Sequence, residues 1–365
     1  MSDNRFLMHR EISEVVRPGP GQYIAEEGAL GQLDQLLEPF NNPIVISSEK
    51  ALMAFRKHYQ GKLDLQALLI DSSVSKEDIQ RLMTEVADAD VILGIGGGKV
   101  NDTAKAVADD LRIESIMIPT VLGTCAPFTP LSIIYEQDTG NYVGIKYMRQ
   151  SPYACLLDYT LLLDSPLELL KSGIGDSLAK YYEARPLIES MGSEVPLLVQ
   201  IGFQNAEIIK DLIYSQGGQS IEDFKRGAVS SAFKNIAHAI VAAAGTVGGY
   251  AGSKGRTSGA HAIHDGMASV AETRSFPHGV KVAYGILVQL AVEKKYKEIE
   301  ELKLFYEQND FLTKLSDFNI KENKDEKIAV IASVAASDNT SFIGAFPDIT
   351  TEAIIQAIHY LENDA

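Results

Sequence analysis

Between about residue 40 and residue 120 the chain alternates short, nearly unbroken apolar runs with amphipathic stretches: PIVISS, EKALMAFRKHY, ALLIDSS, KEDIQRLMTEVA, DVILGIGGG, NDTAKAVADDL and SIMIPT. A strand that is apolar at successive positions is buried on both faces, and helices on either side of a parallel sheet are what bury it. This half is therefore expected to fold as a doubly wound α/β domain. PLSIIYEQDTGNYVGIKYM reads as a hairpin beside that sheet, with Asp138, Gly140 and Asn141 supplying the turn.

After ACLLDYTLLLDSP the texture changes, and Asp164, Ser165 and Pro166 predict a helix N-cap followed by a helix-starting proline. The remainder is helical in pattern, through VPLLVQIGFQNAEIIKDLIYS, DFKRGAVSSAFKNIAHAIVAAAGTVGGY, VKVAYGILVQLAVEKK and ITTEAIIQAIHYLEN. Ala242 to Ala244, then Gly245, Gly248 and Gly249, predict close helix packing and then a helix end; KENKDEK reads as a solvated loop or helix start. A chain of 365 residues exceeds the roughly 250–300 at which a single core stops growing, so two domains are expected: α/β over 1–162 and all-α over 163–365.

A net charge of −16 repels a phosphate backbone, so nucleic acid is excluded as a partner. The opening MSDNRFLMHREISEVV has no apolar core, and nowhere is there an apolar run of about 18 residues. A cytoplasmic protein without a membrane partner is expected, with Cys125 and Cys155 kept as thiols.

Two segments carry chemistry. GIGGGKVNDTAKA sets Gly94, Gly96, Gly97 and Gly98 between a buried strand and a helix, where backbone can approach a pyrophosphate and helix N–H groups face the anion. The spacing is not G-x-G-x-x-G, since Lys99 takes the last position, and the loop follows the third strand of the pattern; a ligand-free tight turn is the other reading. Asp102 could serve the helix's first turn as readily as a ligand.

The second segment places His261, His264 and His278 close together in a chain with 7 histidines. Upstream, Asp176 of GIGDSLAKYYEA follows two glycines at the start of an apparent helix. Two imidazoles and one carboxylate leave a metal with an open position, which favours catalysis over structure. His264 lies near His261's helical face and either approaches the site or packs. His9, His58, His238 and His359 are isolated and are assigned no chemistry.

Taken in order, GIGGGKVNDTAKA, PTVLGTCAPFTPLSIIY, GIGDSLAKYYEA, GAHAIHDGM and HGVKVAYG resemble the glycerol dehydrogenase group of the iron-containing (group III) alcohol dehydrogenases, whose fold is shared with dehydroquinate synthase. The resemblance implies a cleft between the two domains holding NAD(P) and one divalent metal, zinc rather than iron. The metal ligands would be Asp176, His261 and His278, with His264 behind them or on the substrate side. Cofactor contacts would be Gly96, Gly97, Gly98 and Lys99 at the pyrophosphate and Thr120, Leu122, Thr129, Leu131 and Tyr135 nearer the ring and ribose, with Asp102 and Ser48 on the same side. A homo-oligomer acting on a small molecule is also implied.

Two departures sharpen the expectation. Glycerol dehydrogenases carry S-T-D-A-P where this chain has Gly123-Thr124-Cys125-Ala126-Pro127, and a thiol is a poor acceptor for polyol hydroxyls. The wording around Cys125 is similar to the hydroxycarboxylate dehydrogenase branch, whose 2-oxo acids need a cation, and Arg256 is the candidate if it lies in the loop before the His261 helix. The expected reaction interconverts a small 2-hydroxycarboxylate and its 2-oxo acid. Glycerol/dihydroxyacetone or another vicinal diol is the alternative, and a dehydroquinate synthase-like lyase, whose basic pocket these motifs lack, is more remote. Ser48 stands where NAD-using relatives carry an aspartate after the first sheet strand; with Lys50 near, NADP is expected, although Glu49 opposes it.

Overall fold

The computed structural model describes residues 16–363 apart from 62–64, 72, 87, 141 and 339. The opening segment through His9 and the turn residue Asn141 lie outside the described residues. The strands are β1 (Gln22–Glu26), β2 (Pro43–Ser47), β3 (Ala67–Leu69), β4 (Val91–Gly96), β5 (Glu114–Pro119), β6 (Leu131–Tyr135), β7 (Tyr142–Tyr147) and β8 (Ala154–Asp158). Six of them form one sheet in the order β1-β8-β5-β4-β2-β3, every neighbour parallel. Helices α1 (Leu33–Leu36), α2 (Glu49–His58), α3 (Lys76–Glu85), α4 (Gly98–Leu111) and α5 (Tyr159–Leu162) alternate with these strands.

Side chains along β4 alternate as a strand requires. Val91, Leu93 and Ile95 join one core with Phe55 of α2, whereas Ile92 joins another with Ile79 and Leu82 of α3 and Ala104 and Val107 of α4. Helices thus cover both sheet faces, as the apolar runs predict. The hairpin is also present: β6 and β7 pair antiparallel as a separate two-stranded sheet, and Gly140 in its turn has φ of 70°.

Every described helix after α5 belongs to the second texture: α6 (Leu167–Glu189), α7 (Leu197–Lys225), α8 (Ser231–His238), α9 (Ala244–Ala251), α10 (Gly259–Ala268), α11 (His278–Val292), α12 (Tyr296–Gln308), α13 (Lys324–Ala335), α14 (Phe342–Ala345) and α15 (Thr351–Asn363). Lys324 of the charged KENKDEK run begins α13. No helix among the described residues is long and apolar enough to cross a membrane.

Four local expectations are corrected. β1, QYIAE, is short with polar ends and carries no strand pattern of its own; it sits at the sheet edge on β8, so the glycine loop follows the fourth strand rather than the third, and Ser48 the second rather than the first. Pro166 occupies the N-cap of α6 without a side-chain cap, and Asp164 instead pairs with Lys57 and His58, both at 2.6 Å. DFKRGAVSSAFKNIAHAIVAAAGTVGGY is not one helix: Gly227 turns at φ 65°, and Ala239–Ala243 is a π turn between α8 and α9. Asp176 lies in the middle of α6 rather than at a helix start, because Gly173 and Gly175 are helical.

Those glycines are contact points. A Cβ on Gly173 would lie 2.2 Å from the Leu122 carbonyl oxygen, and one on Gly175 would lie 2.4 Å from that of Gly279. Gly279 faces back, where a Cβ would stand 1.8 Å from the Ser172 carbonyl oxygen, and its N–H donates to Ser172 Oγ at 2.9 Å. Backbone therefore packs directly on backbone where α6 crosses α11. Gly279→Ala is expected to cost at least about 2 kcal/mol by overpacking, read as a lowered Tm. Gly31→Ala, where nothing lies within 4 Å of the added methyl, is the control.

Candidate metal and nucleotide site

Three helices converge at the Gly175–Gly279 crossing. Asp176 comes from α6, His261 from the first turn of α10, and His278 is the first residue of α11. One ligand atom from each lies within 4.8 Å of the others. His261 Nε2 is 3.3 Å and His278 Nε2 3.7 Å from the same oxygen, Asp176 Oδ1.

Each imidazole is held from behind through Nδ1. Glu183, one helical stretch beyond Asp176 and fully buried, meets His261 Nδ1 at 2.6 Å and accepts the backbone N–H groups of Ser258 and His261 at 2.7 and 2.9 Å. That arrangement fixes the start of α10 and the His261 ring together. His278 Nδ1 meets His264 Nε2 at 3.0 Å, and His264 Nδ1 meets Asp265 Oδ1 at 3.0 Å. His264 is thus placed behind His278. With His278 Nε2 kept as a lone-pair donor, its Nδ1–H donates to His264, whose own Nδ1–H donates to Asp265.

Burial penalises the Asp176 carboxylate, but Lys180 and hydrogen bonds from both histidines outweigh it and hold the group well below the usual carboxylate range. Burial likewise pushes His261 down, while Glu183 and Asp176 more than compensate and raise it to about 9. Burial and then the neighbouring His278 lower His264 to about 3, so it stays a neutral imidazole. Lys180, one turn beyond Asp176, is opposed by burial but raised by the carboxylates of Asp176 and Glu183 and remains an ammonium.

On the nucleotide side, Gly94 and Gly96 lie within β4, and Gly97 caps α4 without a side chain. A Cβ on Gly94 would stand 2.8 Å from that of Ala104, so this glycine serves sheet-helix packing. Asn101, which carried no sequence signal of its own, closes the turn by donating Nδ2–H to the Gly96 and Gly97 carbonyls at 2.8 and 2.9 Å. Thr120 donates its N–H to Gly96 at 3.2 Å; Gly98 faces Thr124 and Ala126. Lys99 is exposed, and Ser48 is half-buried at the N-cap of α2.

The loop over this turn hangs on another residue the sequence did not single out. Lys105 is buried on α4 and donates to the carbonyls of Ala126, Thr129 and Leu131, the first two at 2.7 and 2.9 Å, while pairing with Asp102 at 2.9 Å. Asp102 also accepts from Ile133 N–H at 3.0 Å. Its carboxylate is engaged by the hairpin and by Lys105, the fold role that the sequence left open beside a ligand role. Thr120, Leu122 and Thr129 are buried residues of this loop, and burial raises the Tyr135 phenol.

Cys125 has Asp176 among its electrostatic neighbours, and Arg256 reaches Lys180 through its backbone carbonyl at 3.5 Å. Arg256 is in the turn before α10, where a role near the site requires it. Its Nη2 donates to Gly248 O at 3.1 Å and its guanidinium lies over Tyr147, 5.3 Å from the ring centroid. Nη1 is buried with no hydrogen-bond partner among the described residues. Burial pushes the Cys125 thiol up, so it is neutral, with Lys180, Asp176 and Arg256 among its electrostatic neighbours. Both cysteines are free. Two of the isolated histidines serve structure: His58 pairs with Asp164, and His238 bridges the Tyr23 and Tyr159 hydroxyls at 3.1 and 2.9 Å.

Residues 20–159 match the family described as iron-containing alcohol dehydrogenase. Hydroxycarboxylate dehydrogenase A of Escherichia coli (strain K12) is 32% identical over 88% of this chain and 90% of its own length. The chain belongs to the iron-containing alcohol dehydrogenase family. Glycerol dehydrogenase of Escherichia coli O6:H1 is 28% identical, covering 93% of this chain and 96% of that protein. Among solved structures, a probable glycerol dehydrogenase from Sinorhizobium meliloti 1021 matches with a TM-score of 0.85 at 27% identity, over 95% of this chain and 98% of that one. As a member of this family the chain is an oxidoreductase acting on CH–OH donors, and the family uses NAD(P) and a divalent metal.

Glu183→Gln keeps an acceptor for both backbone N–H groups but removes the charge behind His261. It is expected to weaken zinc binding by about 10–100-fold, measured by competition with a chromophoric chelator. Unchanged affinity would mean that Glu183 only packs.

Proposed function

We propose that this dehydrogenase interconverts a small 2-hydroxycarboxylate and its 2-oxo acid, with residues 1–162 binding the nucleotide and 163–365 the metal and substrate. The observation that carries the reading is the buried Nη1 of Arg256, without a hydrogen-bond partner among the described residues, with the neutral Cys125 as an electrostatic neighbour. A guanidinium with spare donors suits a carboxylate, and a thiol in place of an aspartate removes the charge that would repel it.

Asp176, His261 and His278 would hold the metal. The donor set of two nitrogens and one oxygen, with both Nε2 atoms facing Asp176 Oδ1, fits zinc, and iron is the other choice. When bound, the metal supplies a Lewis acid for the carbonyl oxygen and the nicotinamide exchanges hydride at the same carbon. Glu183 and His264 keep the two imidazoles oriented. Gly97, Gly98 and the first turn of α4 would receive the pyrophosphate, with Thr120, Leu122, Thr129, Leu131 and Tyr135 around the remaining cofactor. Ser48, with Lys50 beside it, favours NADP over NAD, and a homo-oligomer is the proposed assembly.

The glycerol alternative and the cofactor choice are tested together. Turnover of pyruvate, hydroxyacetone, dihydroxyacetone and glycerol with each nicotinamide cofactor is expected to favour the 2-oxo acid and NADPH. Preference for glycerol overturns the substrate reading, and a strong NADH preference the cofactor reading. Arg256→Ala is expected to raise KM for pyruvate about 30-fold and far less for hydroxyacetone; equal effects would remove Arg256 from carboxylate binding. Chelation is expected to abolish turnover and added zinc to restore it, so activity surviving a verified metal-free preparation would refute the metal assignment.

A further inference from the structure

Four lysines are buried among the described residues, and the three of them whose ammonium groups make hydrogen bonds there, all but Lys281, can be compared by their partners. Lys105 has three carbonyls and Asp102, and Lys146 has Asp109 and Asp110 at 3.2 and 2.8 Å. Lys180 differs. Its side chain is 9% exposed, and its hydrogen-bond contacts are Asp176 Oδ1 and the Arg256 carbonyl, each at 3.5 Å. An ammonium–carboxylate hydrogen bond normally lies near 2.7–2.9 Å, so both contacts are long and one of its three donors has no partner among the described residues.

We propose that Lys180 is the second cation of a carboxylate clamp, closing with Arg256 on the carboxylate of a 2-oxo acid. The position on α6 carries the argument. Lys180 follows Asp176 by one turn on the same helix face, which sets Nζ 3.5 Å from the carboxylate oxygen that both histidines face. A group that reaches so close to the cluster meets the carbon adjacent to a carbonyl directed there, which is where a 2-oxo acid carries its charge. Arg256 approaches from the turn before α10, and its carbonyl is one of the two Lys180 contacts.

Charge supports the same assignment. Lys180, Arg256 and a divalent cation would together place more positive charge around the half-buried Cys125 than the carboxylates of Asp176 and Glu183 offset. A substrate monoanion placed among them offsets that excess. Lys180 then acts on specificity, by making the pocket costly for an uncharged ketone.

This inference rests on the 2-oxo acid reading, and the experiment separates the two. Wild type, Lys180→Met and Lys180→Arg are compared for pyruvate and hydroxyacetone kinetics, for calorimetric binding of the unreactive analogue oxamate, and for zinc affinity. Lys180→Met is expected to lower the pyruvate-to-hydroxyacetone ratio of kcat/KM and the oxamate affinity by about 30-fold or more, with Lys180→Arg recovering part of both. If wild type neither binds oxamate nor turns over a 2-oxo acid, the substrate reading falls, and this inference with it. If wild type does both and Lys180→Met leaves oxamate affinity and the ratio unchanged, this inference alone is overturned. A loss of zinc affinity with both substrates falling in equal proportion also overturns it, making Lys180 a support for Asp176. Should Lys180→Met fail to fold by circular dichroism, Lys180→Gln carries the same comparison.

Discussion

The contact on which this architecture turns is the direct packing of backbone on backbone along α6. Gly175 against Gly279 brings α11 close enough for His278 to face Asp176, and Gly173 against Leu122 seats the same helix under the loop that leads to Cys125 and Thr129. A side chain at any of these positions would hold the surfaces apart by at least its own Cβ. Within eleven residues α6 thus carries the loop contact, a proposed metal ligand, the under-partnered Lys180 and the carboxylate behind His261. One rigid element sets the spacing between nucleotide loop and histidine cluster, and rigid elements hold a site more closely than loops do.

Buried charge divides into two kinds in this molecule. Asp102 and Lys105 satisfy each other and a run of carbonyls, and their work is to shape the loop over the glycine turn. Asp176, Lys180 and Arg256 satisfy each other incompletely. Burying polar groups without partners is costly, so incomplete satisfaction at a cleft is where a ligand finds its interactions.

Much of this was legible in the chain. The unbroken apolar runs specify a parallel sheet with both faces covered, and the hairpin announced itself by its turn residues. The motifs also named Asp176, His261 and His278, which the fold brings together from three helices. What escaped was either short or dependent on partners distant in sequence. β1 offers five residues with polar ends and is a strand only because β8 lies beside it. Gly173 and Gly175 read as helix breakers, yet they are helical because another backbone occupies the space a Cβ would need. Glu183 and Lys180 look like surface charges on an amphipathic repeat; their spacing of seven and four residues from Asp176 was the available signal, since both return to its helix face. Asp102 and Lys105 resemble a ligand-bearing helix start until the loop they support is placed.

The two halves of the histidine cluster are not equivalent. His261 is backed by an anion at 2.6 Å and its side chain is 14% exposed, whereas His278 is backed by a neutral imidazole and is 35% exposed. A carboxylate behind an imidazole increases its donor strength; a neutral ring does so less. The α11 side of the cluster is therefore the side more open to solvent and less firmly held by charge, and Asp265 reaches His278 only through His264.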